Sequence, residues 1–241
     1  MTPEHFRFEV RGQVGIITLD RPDRLNAFTG DQYVGLNDLL VRVRGDDDVS
    51  VVLITGSGRA FSSGDDLSLY EDPELGREAS VAFNMLMETL ADFDKPLLAA
   101  VNGLAIGFGA TLLLHCDVVF ASTEARLRYP FSEMGVPPEA ASSVLLPGLV
   151  GPQRAAELLF EADWIDAARA HELGLFAHVV SSGKLLEESL GFAKRVSERS
   201  LFGLQAAKRL LLHDRRAAVK AAHARETEAV QGMVSESEES G

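Results

Sequence analysis

A chain of 241 residues, 46% hydrophobic and 24% charged, is long enough for one large core and has the composition of a folded globular protein. Its net charge of −13 makes nucleic acid and anionic membranes poor partners. The single cysteine, Cys116, excludes an internal disulfide, and the amino terminus lacks the basic and apolar regions of a secretory signal, so a cytoplasmic location is expected.

FRFEV (6–10) and VGIITLD (14–20) read as strands joined at Arg11-Gly12. RPDRLNAF (21–28) reads as a loop. Thr29 with Gln32 has the form of a capping box, and Leu36, Leu39, Leu40 and Val43 mark one face of the helix that follows. GDDD (45–48) is a solvated connection and SVVLITG (50–56) a buried strand. Phe83, Leu86, Met87 and Leu90 have helical spacing, and the segment 68–90 is expected to supply pocket loops. Residues 97–101 and DVVFAS (117–122) are further strands. Residues 97–114 form an uncharged run near the length of a membrane span, but Gly103, Gly107 and Gly109 interrupt it, which favours a strand, a turn and a buried helix. Residues 153–162 and 166–173 are short helices, the second closed by Gly174, and FAHVV (176–180) is a last strand. From Lys184 the signal is helical only: Leu186, Leu190 and Ala193 share a face, and RRAAVKAAHARETEAV (215–230) is alanine-rich. The tail SESEESG (235–241) is expected to be disordered. Strands alternating with helices predict an α/β core.

Two glycine-rich turns, GSGRAFSSGDDL (56–67) and GLAIGFG (103–109), each follow a buried strand. Neither is a Walker loop or a dinucleotide fingerprint, because the Lys-Ser/Thr and the GxGxxG spacing are missing. Each alone reads equally as a tight strand-to-helix connection. Together they can aim paired backbone N–H groups at one anion or oxyanion. The segment RYPFSEMGVPPEAASS (128–143) carries Glu133 and Glu139. Prolines fix the approach to Glu139 and small residues follow it, although a surface glutamate after a turn has the same signature. Asp65 and Asp66 lack a third acid for a metal site, and the six histidines have no ligand spacing, so no metal is expected.

Taken together, IITLDRPDRLNAF, GRAFSSGDDL, AAVNGLAIGFGATLLLHCDVVFAS and ADWIDAARAHELGL resemble the crotonase (enoyl-CoA hydratase/isomerase) superfamily. The resemblance implies a spiral of ββα units over residues 1–183, holding the acyl-CoA site. It also implies a helical region over 184–234 that assembles a homotrimer or a dimer of trimers. The substrate is an acyl-CoA thioester, and no cofactor is required beyond the coenzyme A it carries. The thioester oxygen would accept from the amides of Asp65 and Phe108. Arg24, Asn26, Ala27, Ala60, Ser62, Ser63, Gly64, Asp66, Leu67 and Gly107 would hold substrate and coenzyme A. Arg59 and a basic residue of the tail, Lys208 or Arg209, from the same or a neighbouring subunit, would face the phosphates. Thr111, Phe131 and Pro138 would line the acyl pocket.

The hydratases of this superfamily use two glutamates to activate water. This chain has Thr111 and Phe131 at those positions, so both are absent. Glu139 stands where monofunctional Δ3,Δ2-enoyl-CoA isomerases of the peroxisomal type carry their single catalytic glutamate. Ala140 departs from the glycine usual there, and Gly109 is a second departure. One carboxylate visiting the α- and γ-carbons of a 3-enoyl thioester needs neither water nor metal. The resemblance therefore implies an isomerase. A hydratase, another crotonase reaction and a non-catalytic acyl-CoA-binding module are the alternatives.

Overall fold

The computed structural model describes residues 2–239, of which 234–239 are described by backbone alone. β1 (Phe6–Arg11) and β2 (Val14–Leu19) form the expected antiparallel hairpin. The loop after β2 contains a 3-10 turn at Pro22–Arg24. α1 (Gly30–Arg44) starts at Thr29, whose hydroxyl and N–H both donate to Gln32 Oε1, at 2.6 and 3.2 Å.

Three strand pairs follow, and each is split between two sheets. β3 (Val51–Gly56) and β4 (Ala60–Ser62) lead into α2 (Ser68–Glu71) and α3 (Pro73–Asp92). β5 (Leu97–Val101) and β6 (Leu104–Ile106) lead into α4 (Phe108–Thr111) and a 3-10 turn at Leu112–His115. β7 (Val118–Ser122) and β8 (Arg126–Arg128) lead into α5 (Phe131–Met134), α6 (Ser142–Val150) and α7 (Pro152–Glu161). β9 (Ile165–Asp166), α8 (Ala167–Glu172) and β10 (His178–Val180) complete the core. The first strand of each pair enters a six-stranded sheet ordered β1-β2-β3-β5-β7-β10, and the second enters a four-stranded sheet ordered β4-β6-β8-β9. The turning chain makes β3, β5 and β7 parallel neighbours, and likewise β4, β6 and β8.

Burial of both faces of the large sheet explains its unbroken apolar runs. In β3, Val52 and Ile54 face the main core, whereas Val51 and Leu53 face α9 (Leu185–Ser197). The α9 face differs by one position from the expected one. Leu185, Ser189 and Ala193 are buried and Leu186 is exposed, because a small Ser189 lets the helix lie close to the sheet while its hydroxyl bonds Leu185 O at 2.7 Å. The expected pocket loops over 68–90 are helices instead. Asp72 caps α3, accepting from the N–H groups of Glu74 and Leu75, with Pro73 in the first turn.

α10 (Leu201–Leu211) and α11 (His213–Glu239) follow α9. The backbone over 235–239 is helical where a disordered tail was expected, and residues 240–241 lie outside the described residues. α11 packs back on α3 and α6, burying Val219, Ala222, His223 and Glu226 at helical spacing. No helix among the described residues is long and apolar enough to cross a membrane, and 97–114 divides into β5, β6, α4 and the 3-10 turn.

Candidate active site

Because β4, β6 and β8 are adjacent and parallel, the segments that leave them emerge on the same edge of the small sheet. They carry Asp65, Phe108 and Glu139 into the wall of one cavity of about 510 Å³. The first two turns touch. Gly64 sits at φ +84°, and a Cβ there would lie 2.7 Å from Ile106 O and 3.2 Å from Phe108 N, so a side chain would push them apart.

Several amides of these turns are committed to protein acceptors. Phe28 N–H donates to Gly64 O and Asp66 N–H to Phe28 O, both at 2.8 Å, so the Asp65 N–H between them points the other way. Gly107 N–H donates to Arg128 O at 3.1 Å, and the amides of Ala110 and Thr111 both donate to Gly107 O at 2.9 Å. The N–H groups of Asp65 and Phe108 have no acceptor among the described residues, and both residues line the cavity. The Phe108 ring is locked by Phe28, Tyr33 and Phe83, with centroids 4.9, 5.0 and 5.5 Å away.

Glu139 is held by its backbone. Ala140 and Ala141 both adopt φ +57°, a left-handed conformation that costs an L-residue about 1–2 kcal/mol. Two buried side chains hold it. His115 Nε2–H donates to Ala140 O at 2.8 Å, and Glu226 accepts from the N–H groups of Ala141 and Ser143 at 2.7 and 2.9 Å. His115 is neutral, because burial pushes its pKa down to about 3, so a carbonyl partner assigns the proton to Nε2.

The Glu139 carboxyl accepts no hydrogen bond among the described residues. Burial, then the charges of Asp65 and Glu226, hold its pKa well above the ordinary value. The other cavity carboxylates are occupied. Asp65 accepts from the hydroxyls of Tyr33 and Tyr70, Glu226 binds the two amides, and Glu133 pairs with Arg128. Glu133 is therefore both solvent-facing and part of the cavity rim.

Ser63, Leu67, Gly107, Phe131 and Pro138 line the cavity. Thr111 does not: it is fully buried beneath the second turn, its hydroxyl 3.4 Å from Phe108 O. Asn26, Ala60 and Ser62 build the first turn and are not offered to a ligand. Asn26 Nδ2 donates to the carbonyls of Ser57 and Ala60 at 2.9 Å each, and Arg21 N–H donates to its Oδ1 at 2.8 Å. Ser62 Oγ donates to Asn26 O and accepts from Gly64 N–H. Ala27 and Gly64 are buried supports. Asp66, expected to hold substrate, does not line the cavity: it accepts from Ser68 N–H and pairs with Arg21 at 2.6 Å.

Arg24 and Arg59 are exposed and are not among the residues that line the cavity. Lys208 is a correction. It is buried, donating to Lys95 O at 2.8 Å and pairing with Asp117 at 2.7 Å, so it cannot meet a phosphate. Arg209 is half-exposed beside Asp94. Asp117 also accepts from Leu97 N–H at the start of β5.

Tyr33, Tyr70, His223 and Glu226 escaped the sequence reading. The 219, 222, 223, 226 spacing was the available signal for the last two. No group of three or more His, Cys, Asp or Glu placed to hold a metal occurs among the described residues.

The family model for enoyl-CoA hydratase/isomerase matches residues 9–240. The 1,2-epoxyphenylacetyl-CoA isomerase of Escherichia coli (strain K12) is 36% identical over 194 residues, covering 78% of this chain and 74% of its own. The 2,3-dehydroadipyl-CoA hydratase of the same organism is 35% identical over 214 residues, covering 89% and 84%. The crystal structure of an enoyl-CoA hydratase/isomerase from Pseudoalteromonas atlantica T6c superposes with a TM-score of 0.89 at 35% identity, covering 95% of this chain and 91% of that one. The split strand pairs and carboxy-terminal helices are those of the crotonase fold. The chain belongs to the enoyl-CoA hydratase/isomerase family and is an enzyme of the crotonase superfamily.

Proposed function

We propose that the protein is an acyl-CoA isomerase that moves the double bond of a 3-enoyl-CoA to the 2-trans position. One observation carries this reading: among the described residues Glu139 is the cavity carboxylate with no hydrogen-bond donor, and it shares the cavity wall with two residues whose amides have no acceptor. The thioester oxygen accepts from the Asp65 and Phe108 N–H groups. Glu139 takes an α-proton, and the enolate charge falls on that oxygen. Each such donor is worth about 3 kcal/mol in the transition state. The same carboxyl returns a proton to the γ-carbon, and the conjugated thioester leaves. A raised proton affinity makes Glu139 a stronger base. Phe83 and Phe131 help to keep water from the enolate. The reaction needs no cofactor. Neither Thr111, buried away from the cavity, nor Phe131 can serve as a general base where the hydratases carry glutamates.

Hydration is the second reading, favoured by the hydratase names among the relatives and by Asp65 as a second cavity carboxylate. The test is to offer purified protein a 3-enoyl-CoA and follow conjugated-enoyl absorbance, then a 2-trans-enoyl-CoA and follow the hydroxyacyl product. Isomerisation that is lost in Glu139→Gln with acyl-CoA binding retained supports the proposal. Unimpaired turnover in Glu139→Gln sinks it. Binding without turnover of either substrate would favour an acyl-CoA-binding module. We also propose a homotrimer or dimer of trimers, for which α10 exposes Phe202, Leu210 and Leu211, and sedimentation velocity reads the state directly.

A further inference from the structure

The isomerase reading uses Asp65 only through its backbone N–H and leaves its side chain without a role. That carboxylate lies in the wall of the same cavity as Glu139, between two phenols from different helices. Tyr33 of α1 donates to Oδ1, and Tyr70 of α2 donates to Oδ2 at 3.0 Å. Both phenols remain donors, because Tyr33 is buried and the Asp65 and Glu139 charges oppose ionisation of either hydroxyl. Burial raises the Asp65 pKa and the two phenols oppose that rise, because donors to a carboxylate favour its charged form; burial raises Glu139 with nothing to oppose it. Two carboxylates sharing a poorly solvated cavity do not both ionise readily, and the first proton goes to the one without donors.

We propose that the Asp65 side chain, clamped by the Tyr33 and Tyr70 hydroxyls, is a positioning group that stays ionised and assigns the proton of the pair to Glu139, making Glu139 the stronger base. The effect on turnover rests on the isomerase reading; the placement of the proton does not.

The other charged or titratable groups facing the pair leave this role to Asp65. From α11, Glu226 acts on Glu139 in the same direction, but its oxygens are committed to the Ala141 and Ser143 amides. His223 of α11 and His115 behind Ala140 are both driven toward the neutral form by burial. Arg128 of β8 is paired with Glu133 of α5.

Asp65→Asn tests the proposal, since it keeps the backbone N–H and removes the charge. The first measurement needs no turnover. Infrared difference spectra of the ligand-free protein follow carboxyl protonation with pH, and Glu139→Gln identifies the Glu139 band. In Asp65→Asn the Glu139 midpoint should fall by about one pH unit, a tenfold loss of proton affinity. Tyr70→Phe, at an exposed position that tolerates the change, should lower it by less, because Asp65 then holds its charge less firmly. A Glu139 midpoint unchanged or raised in Asp65→Asn overturns the proposal. The second measurement is the pH profile of kcat/KM with a 3-enoyl-CoA. Its acid limb should move down by the same amount and its plateau should fall several-fold, with KM within about twofold, whereas a merely structural role would lower the plateau without moving the limb. If the wild type does not turn over the 3-enoyl-CoA, the isomerase reading fails while the infrared titration still decides the role of Asp65.

Discussion

Replacing Glu139 by Gln is expected to make the protein more stable while removing its proton carrier. The carboxyl makes no hydrogen bond among the described residues, so the near-isosteric amide forfeits none. Burial, followed by the charges of Asp65 and Glu226, holds the native carboxyl well above its ordinary pKa of 4.5. In the unfolded chain the group titrates near that ordinary value. Below it, both states are protonated and Glu139 has no electrostatic cost. Above it, the folded protein binds one more proton than the unfolded chain, so stability falls as pH rises, by about 1.4 kcal/mol per pH unit. Once the native carboxyl ionises, the loss is complete and the curve levels. Gln has no such slope. The stability difference, variant minus wild type, should be near zero at about pH 4 and open at that rate through the window above it. It should plateau where the native group titrates. Urea unfolding across this range, followed by the fluorescence of the single tryptophan, Trp164, measures it. A difference flat with pH, or a variant less stable than wild type at about pH 8, would refute the reasoning. A half-buried carboxyl with no donor among the described residues, whose removal stabilises the fold, is a group retained for chemistry.

Two other substitutions test the frame around the site. In Gly109→Ala the new Cβ would fall 2.3 Å from Ser62 O and 2.9 Å from the Ser62 carbonyl carbon, forcing the two glycine turns apart. It should cost about 1–3 kcal/mol by urea unfolding and lower kcat as the paired amides separate; wild-type values for both would contradict the contact. Lys208→Met should cost about 1–3 kcal/mol, because Lys95 O and the solvent-accessible Asp117 carboxylate lose their ammonium donor, and should leave KM for an acyl-CoA within about twofold. A large rise in KM with unchanged stability would return Lys208 to the phosphate role that its burial argues against.

The parts of the site legible in the sequence are those built from neighbouring residues. A strand followed by glycines is a local pattern, and so are the prolines before Glu139 and the Thr29–Gln32 box. The α/β class followed from strand and helix periods that hold over whole elements. Three-residue strands such as β4, β6 and β8 leave too few positions for a period to register, yet they deliver Asp65, Phe108 and Glu139 to one edge. Asn26, Ser62 and Lys208 are polar residues that a linear reading assigns to solvent or ligand. Their partners, at Ala60, Gly64 and Asp117, become visible only when the chain is folded, and those partners consume them. Ala140 makes the same point from the backbone. An L-residue at φ +57° is an improbable choice from local preference, and it is stabilised by a histidine 25 positions earlier. The next residue, Ala141, is held by a glutamate 85 positions later. Those two side chains belong to the catalytic loop as much as Glu139 does, because without them the turn that aims its carboxyl has nothing to offset its strain.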